Sequence, residues 1–328
     1  MIAVDLIYNR FQPTNELSES VSIPVQPGTL PPVHLLTYGG GRDEYRSAAM
    51  QLSADAADTG WFQSITCVTD LQDSELTQAL HEVHGKFIQR NPRGNGYWIW
   101  KPFLSLELLK NLPKGHILAY LDSGCELSII GHSIWNHFVR QAAQHGSLFF
   151  SLPYIEAEWT KQETLSAMGL SGEHLESMQI QATWFMLRVD DESLELLGRW
   201  HEFCQKDDYA LLIDTRNATI QSPMFHEHRH DQSILSILVK QRNIRTFPWL
   251  DRFAPWLYIK NSWTLLYPVH TTRATKDRKI AKLAIRSNTL ACAANATTPS
   301  FLESAEMSLY KAYYLSRSIV AAWTSKLL

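Results

Sequence analysis

Asp122 is the acidic residue whose position in the sequence most directly indicates chemistry. It ends the apolar segment HILAYLD (116–122), which we predict to be a buried strand, and two small residues, Ser123 and Gly124, follow it. Ligands of open α/β sheets bind beyond the carboxyl ends of the strands. A carboxylate there, beside small residues that let a bulky anion approach the backbone, could hold a hard divalent cation against phosphate. The alternative is an aspartate that only caps the turn after the strand.

An aromatic segment, RGNGYWIWKP (93–102), precedes that strand. It is not a dinucleotide-binding fingerprint, because it lacks a third glycine and no helix opens directly behind its glycines. We expect these glycines to bring Trp98 and Lys101 close to Asp122. Aromatic side chains stack on a base or a sugar, and a lysine can contact phosphate. Alternatively, Trp98 and Trp100 fill a layer of the core.

The third candidate is the segment FHEHRHDQS (225–233), in which histidines alternate. Neutral imidazole is a common zinc ligand, so a metal-dependent hydrolase is one interpretation of HEHRHD. Binuclear hydrolases of the metallo-β-lactamase type have HxHxDH, however, whereas HxHxHD here runs into a predicted helix over 231–243. Asp231 opens this helix, and aspartate is a favoured N-cap residue. Asp231 is therefore a helix cap, a catalytic carboxylate, or both.

Alternating strands and helices must position these residues. Short apolar runs predict strands over 33–40, 64–69, 116–122, 147–154 and 182–189. Helical patterns cover 71–84, 103–112, 193–206 and 231–243. Strands that alternate with helices favour an α/β fold built on a central sheet. Residues 1–32 are an N-terminal segment that ends in a Pro-rich arm (24–32), and the main domain covers residues 33–270.

Composition and charge exclude several classes of protein. The chain has 328 residues, 45% of them hydrophobic, and a net charge of −3, which argues against a protein devoted to binding nucleic acid. No apolar run reaches the roughly 18 residues of an ordinary membrane-spanning helix, and the N-terminus lacks the basic start of a secretory signal. Four separated cysteines without a CxxC pair are typical of a reducing compartment. These features predict a cytoplasmic protein.

The C-terminal extension (271–328) differs in charge from the rest of the chain. It has nine Lys or Arg residues and three acidic ones, so it carries +6 while the remainder carries −9. Residues 308–328 could form a helix with apolar and basic faces. Two alternatives stay open for this helix: packing against the main domain, or peripheral binding to an anionic membrane surface, where each basic residue contributes about 1 kcal/mol.

The order of three motifs, GYWIWKP, LDSGC and HDQS, resembles bacterial GT-A type glycosyltransferases of surface polysaccharide and lipopolysaccharide assembly. The resemblance covers about residues 33–270. It implies a Rossmann-like GT-A fold, a single large domain with a mostly parallel central sheet. It also implies transfer of a sugar from a UDP- or GDP-sugar to a hydroxyl of a glycan or lipid-linked acceptor. A non-catalytic carbohydrate-binding or scaffold protein is the main alternative, because aromatic surfaces bind sugars without chemistry.

The resemblance implies a donor site that contains a metal. Asp122 matches the first acid of the DxD motif, which binds the donor diphosphate through a divalent cation such as Mn²⁺ or Mg²⁺. Gly124 stands in the place of the second acid, so this chain departs from the two-acid pattern, and Glu126 is a candidate substitute ligand. His270 is similar to a late histidine that some GT-A enzymes aim at the metal. Arg273 is similar to the basic residues that they aim at the diphosphate.

The remaining implied roles concern the donor nucleotide and the acceptor. Tyr38 lies where GT-A enzymes hold the base and ribose, and Trp98 and Lys101 would also contact the donor. Asp231 belongs to an Asp-Gln pair similar to the acid-Gln pair that opens a helix beneath the acceptor site, and it would be the catalytic carboxylate. It would take the proton of the acceptor hydroxyl in an inverting enzyme, or orient the substrate in a retaining one.

Overall fold

The computed structural model describes residues 30–214, 220–248 and 268–271. The N-terminal segment up to residue 29 lies outside the described residues. The same holds for Arg273 and the rest of the C-terminal extension after Thr271. What we expect of these segments stays a prediction.

Seven strands form one central sheet, and two short strands form a separate pair. The sheet strands are β1 (Val33–Gly39), β2 (Ser64–Thr69), β3 (Ile117–Leu121), β5 (Ser147–Ile155), β6 (Met178–Ile180), β7 (Trp184–Arg188) and β8 (Thr246–Pro248). The separate pair is β4 (Glu126–Leu127) with β9 (Val269–His270). All five strands predicted from the sequence are present. The four very short strands, of two or three residues, are not evident in the sequence.

The sheet is mostly parallel, as the sequence predicts. The strand order is β2-β1-β3-β7-β5-β6, with β8 paired to β5. β2, β1 and β3 are mutually parallel, and β5 and β8 run in the same direction, whereas β7 and β6 run antiparallel to their neighbours. Five of the seven strands therefore share one direction. The fold is α/β.

Helices cover both faces of this sheet. They are α1 (Asp43–Thr59), α2 (Glu75–Arg90), α3 (Trp100–Lys110), α4 (His132–His145), α5 (Glu156–Trp159), α6 (Gln162–Ala167), α7 (Asp191–Tyr209) and α8 (Asp231–Gln241). Helix α3 begins at Trp100, three residues earlier than its sequence pattern predicts, so Lys101 lies in its first turn. None of the helices in the described ranges has both the length and the apolar character needed to cross a membrane.

The core consists of two layers separated by the sheet. Alternate residues of each strand point to opposite faces, which is the period-2 pattern of a strand buried on both sides. In β3, Leu118 and Tyr120 pack on one side, while Ile117, Ala119 and Leu121 pack on the other. Because Tyr120 and residue 122 lie two positions apart, their side chains leave the backbone on the same side.

Candidate active site

The carboxyl ends of β1 and β3 lie side by side at the point where successive strands of the chain switch from one side of β1 to the other. β1 lies between β2 and β3, and the chain runs from β1 to β2 on one side before it returns to β3 on the other. Such a switch point opens a crevice between the two strand ends, and ligands of open α/β sheets bind there. Gly39 ends β1 and Asp122 follows β3 directly, so both lie at this edge.

Asp122 is held firmly by its surroundings but keeps part of its carboxylate exposed. Its backbone N–H donates to the Thr183 carbonyl at 2.8 Å, and its own carbonyl accepts from Cys125 N at 2.9 Å. The Tyr120 hydroxyl donates to Asp122 Oδ1 at 2.5 Å. The Asp122 side chain is 30% exposed, and open space surrounds the Cβ position of Gly124. The loop after β3 therefore leaves room for a ligand.

Lys101 joins Asp122 to Asp231 in the interior. Its Nζ atom lies 3.1 Å from Asp122 Oδ1 and 3.3 Å from Asp231 Oδ2, and it donates to the Ala182 carbonyl at 3.0 Å. The two carboxylates are thus its ion-pair partners, and the carbonyl is its hydrogen-bond acceptor. The Lys101 side chain is only 4% exposed. Because it is buried and paired with both carboxylates, we expect Lys101 to act through them and not on a phosphate.

Burial and the neighbouring charges together raise the pKa values of both Lys101 and Asp231. Burial disfavours the Lys101 ammonium, but the attraction of Asp122 and Asp231 outweighs burial, so the pKa of Lys101 lies above its ordinary value. Burial raises the pKa of Asp231 to about 6, an effect that Lys101 opposes and Asp122 reinforces. A carboxylate with this pKa is ionised at neutral pH and is still basic enough to accept a proton.

Asp231 is the first residue of α8, and it is not the helix cap. The N-cap position belongs to His230, whose side chain makes no capping hydrogen bond. The carboxylate of Asp231 pairs with Lys101 instead, and its backbone carbonyl accepts from Trp200 Nε1 at 2.8 Å. His230 has φ 54° and ψ −120°, a conformation that costs a non-glycine residue energy. The capping interpretation is therefore wrong, and the ion pair holds Asp231 in place.

The aromatic segment forms a left-handed turn. Five consecutive residues, 94–98, all have positive φ. Such runs are rare, because each non-glycine residue costs about 1–2 kcal/mol in this conformation. The turn ends at Trp98, and α3 begins two residues later with Trp100 and Lys101. It therefore determines where the Lys101 ammonium lies.

The two tryptophans of this segment have different surroundings. Trp98 is half-buried and stacks on His230, with 5.3 Å between ring centroids. Trp100 is buried and stacks on Tyr38 at 4.2 Å. The core interpretation thus describes Trp100, whereas Trp98 keeps some exposed surface.

Tyr38 lies beneath the loop that follows β1. Its side chain is buried, and its hydroxyl accepts from Asn95 Nδ2 at 2.6 Å. A side chain at Gly40 would collide with this hydroxyl at 2.2 Å, so the loop must approach Tyr38 without one. Tyr38 thus supports the loop at the switch point from below. Its contact with a nucleotide stays a prediction.

Two further residues of the site could have been found from local patterns. Tyr120 precedes Asp122 by two positions, so strand alternation already places both on one side. Asn95 lies between two glycines, and asparagine tolerates the left-handed conformation better than most residues. The Ala182 carbonyl, in contrast, has no sequence signal, because any residue carries such a group.

Two of the three histidines of HEHRHD, His228 and His230, hold the backbone in place. His228 Nε2 donates to the Leu211 carbonyl at 2.9 Å, and its Nδ1 accepts from Lys161 N at 3.4 Å. His230 Nδ1 donates to the Leu212 carbonyl at 2.8 Å. Burial lowers the pKa of His230 to about 4 and that of His228 well below its usual range, so both imidazoles are neutral. Through these bonds the two rings fix the chain that leads into α8.

Two of the three metal ligands expected from the sequence lie in the short β4–β9 pair, and the third follows β3. Glu126 and His270 are buried and face each other as cross-strand partners of β4 and β9. Asp122 Oδ1 is engaged by Tyr120 and Lys101. Within the described ranges, no three His, Cys, Asp or Glu side chains form a group that could hold a metal ion. The donor set therefore does not fit a divalent cation bound by Asp122, Glu126 and His270 together.

Comparisons with known proteins find similar chains among solved structures, and two examples have low sequence identity. No family model and no curated protein sequence matches the chain. Among solved structures, the apo form of mouse xyloside xylosyltransferase 1 is 12% identical with a TM-score of 0.40, over 74% of this chain and 99% of that chain. A glycosyltransferase involved in the glycosylation of the major capsid of PBCV-1 is 11% identical with a TM-score of 0.33, over 77% and 98%. Values this low assign no roles to residues of this chain.

Proposed function

We propose that this protein is a GT-A type glycosyltransferase that moves a sugar from a nucleotide-diphosphate donor to a hydroxyl of a glycan or lipid-linked acceptor. The main support is the convergence of Lys101, Asp122 and Asp231 at the carboxyl edge of the sheet. Nucleotides bind at such switch points in open α/β sheets. This class of acceptor is proposed because GYWIWKP, LDSGC and HDQS resemble, in their order, motifs of bacterial surface-polysaccharide enzymes.

The charge of the cluster suggests which part of the donor lies against it. One ammonium and two carboxylates carry −1 when Asp231 is ionised. This charge suits the positive charge that develops at the anomeric carbon, whereas a departing diphosphate needs cations. In the proposal, the exposed part of Asp122 accepts hydrogen bonds from donor hydroxyls. Basic residues such as Arg273 then stabilise the diphosphate.

In the proposed reaction the acceptor oxygen bonds to the anomeric carbon while the bond from this carbon to the diphosphate oxygen breaks. The nucleoside diphosphate leaves with the electron pair, and the proton of the acceptor hydroxyl passes to Asp231. Because the pKa of Asp231 is about 6, it is ready to take this proton at neutral pH. Lys101 touches neither substrate and is a positioning residue that fixes both carboxylates.

The proposal is tested first by calorimetry with UDP and GDP, and then by sugar transfer in Asp122→Asn and Asp231→Asn. We expect one nucleotide to bind. Asp231→Asn should lose about 100-fold or more in rate, which is the usual loss when an acid–base group is removed. Asp122→Asn should also lower the rate, because it removes the carboxylate that accepts from the donor and pairs with Lys101. Asp191→Asn is the matched control, since Asp191 is exposed at the start of α7 and pairs with Lys114, which is also exposed. A protein that binds glycans but neither nucleotide would be a carbohydrate-binding module instead.

A further inference from the structure

The Lys101 ammonium is surrounded by oxygen atoms in the way that a small hard cation would be. The Ala182 carbonyl oxygen, Asp122 Oδ1 and Asp231 Oδ2 lie 3.0, 3.1 and 3.3 Å from Nζ. Backbone carbonyls and carboxylates are the ligands that Mg²⁺, Ca²⁺ and Mn²⁺ prefer. A carbonyl and two carboxylates therefore converge on one point, and a positive charge of the protein itself already lies there.

The surroundings of this point also suit a fixed cation. The faces of Tyr120 and Trp100 lie 5.2 and 5.7 Å from Nζ, distances at which an aromatic ring attracts a positive charge. The Tyr120 hydroxyl donates to the same Asp122 oxygen that Lys101 binds. Two carboxylates this close would repel each other if no charge lay between them.

We propose that Lys101 is the built-in counter-ion of a latent divalent-cation site formed by Asp122, Asp231 and the Ala182 carbonyl. In the native protein the ammonium takes the position of the metal ion, so these two carboxylates bind no divalent cation. Removal of the ammonium exposes the three oxygens to a metal ion. Ligand distances of about 2.1 Å then require each oxygen to move inward by about 1 Å.

The inference rests on the proposed function only for the biological role of the site. In that role, Lys101 keeps the two carboxylates paired whether or not a metal ion is supplied. The geometry itself is independent of any reaction. Glu126 and His270 do not enter it, because they face each other across a separate strand pair.

The test is a titration with Mn²⁺, followed by the electron paramagnetic resonance signal of the free ion. It compares the native protein, Lys101→Ala, and the double variant Lys101→Ala/Asp231→Asn. Lys114→Ala is the matched control, because Lys114 is exposed and pairs with Asp191 on the surface. Circular dichroism and thermal melting establish that each variant is folded.

We expect Lys101→Ala to gain one Mn²⁺ site at least tenfold tighter than anything in the native protein or in Lys114→Ala. The double variant loses this site again. A folded Lys101→Ala that gains no site overturns the inference. If Lys101→Ala does not fold, the inference is tested by comparing Mn²⁺ binding of the native protein with that of Asp231→Asn. Equal binding by the two supports the inference. A native Mn²⁺ site that Asp231→Asn abolishes overturns it.

Titrations with UDP and GDP separate this inference from the proposed function. Failure of both nucleotides to bind counts against the glycosyltransferase and leaves the Mn²⁺ result unaffected. Nucleotide binding together with a native Mn²⁺ site at Asp231 supports the glycosyltransferase and shows that Lys101 is not the counter-ion of the two carboxylates.

Discussion

The ammonium nitrogen of Lys101 lies 3.3 Å from Oδ2 of Asp231, and the two side chains are only 4% and 5% exposed. The pair joins the first turn of α3 to the first residue of α8. A buried ion pair costs desolvation when it forms, and removal of one partner leaves the other charge without compensation. The stability of the protein and the protonation of Asp231 are therefore coupled through Lys101.

Lys101→Met is expected to destabilise the protein by about 3–5 kcal/mol at pH 8, the usual cost of breaking a buried ion pair. The loss is smaller at pH 5. The pKa of Asp231 is raised from 3.8 to about 6 in the folded state, so the stability linked to its proton is complete below pH 4 and is lost as pH rises through 6. Without Lys101 the folded pKa is higher still, which enlarges the loss at high pH.

Urea unfolding at pH 5 and pH 8 measures this difference, with Lys114→Met as the exposed control. An equal loss of stability at both pH values would contradict the coupling between Lys101 and Asp231.

The rate of sugar transfer should rise with pH through about 6 and then level off, because ionised Asp231 takes the proton. Asp122→Asn should move this rise to lower pH, since the Asp122 carboxylate is one of the groups that raise the pKa of Asp231. The measurement is kcat/KM against pH, using the residual activity of the variant. A rise that stays near pH 6 in Asp122→Asn would assign it to another group.

Lys240→Met is expected to cost about 3–5 kcal/mol, because it leaves the fully buried Glu156 without its cation. Lys240 Nζ lies 2.6 Å from Glu156 Oε2. The same carboxylate accepts from Thr160 and Ser236, and this network packs α5 against α8. Urea unfolding provides the measurement. The surface variant Lys110→Met, which loses only an exposed pair with Glu107, should change stability by less than about 1 kcal/mol.

Gly96→Ala should destabilise the protein more than Gly115→Ala. Both glycines have similar φ values, 86° and 85°, so both substitutions carry the same backbone strain, about 1–2 kcal/mol. A Cβ at Gly96 would lie 2.7 Å from Ile88 Cγ1, whereas no atom lies within 4 Å of the corresponding position at Gly115. The difference between the two variants measures this clash alone, and we expect about 1–3 kcal/mol. Equal values would show that Ile88 gives way freely.

Local patterns in the sequence were sufficient for the main elements. The apolar runs of β1, β2, β3, β5 and β7 lie in the central sheet, and their composition identifies them without knowledge of their partners. The position of Asp122 after β3, and of Asp231 at the start of α8, follows from the same patterns. Both positions depend on residues adjacent in the chain, and this is why they could be predicted.

The sequence predicted that Lys101 lies close to Asp122, and the structure confirms it, but the sequence could not show that the same ammonium also meets Asp231 and the Ala182 carbonyl. It suggested Asp231 as a helix cap and Lys101 as a phosphate ligand, because each residue type commonly does this locally. The left-handed turn at residues 94–98 and the antiparallel pairing of β3 with β7 instead place the Ala182 carbonyl and both carboxylates around Lys101.

The sequence by itself therefore determined an α/β chain with acidic residues at a strand end and a helix start. The tertiary structure decided that one ammonium group binds both of them. The physical reason is that the ion pairs of Lys101 join residues far apart in the chain, so only folding brings the ammonium and the two carboxylates together.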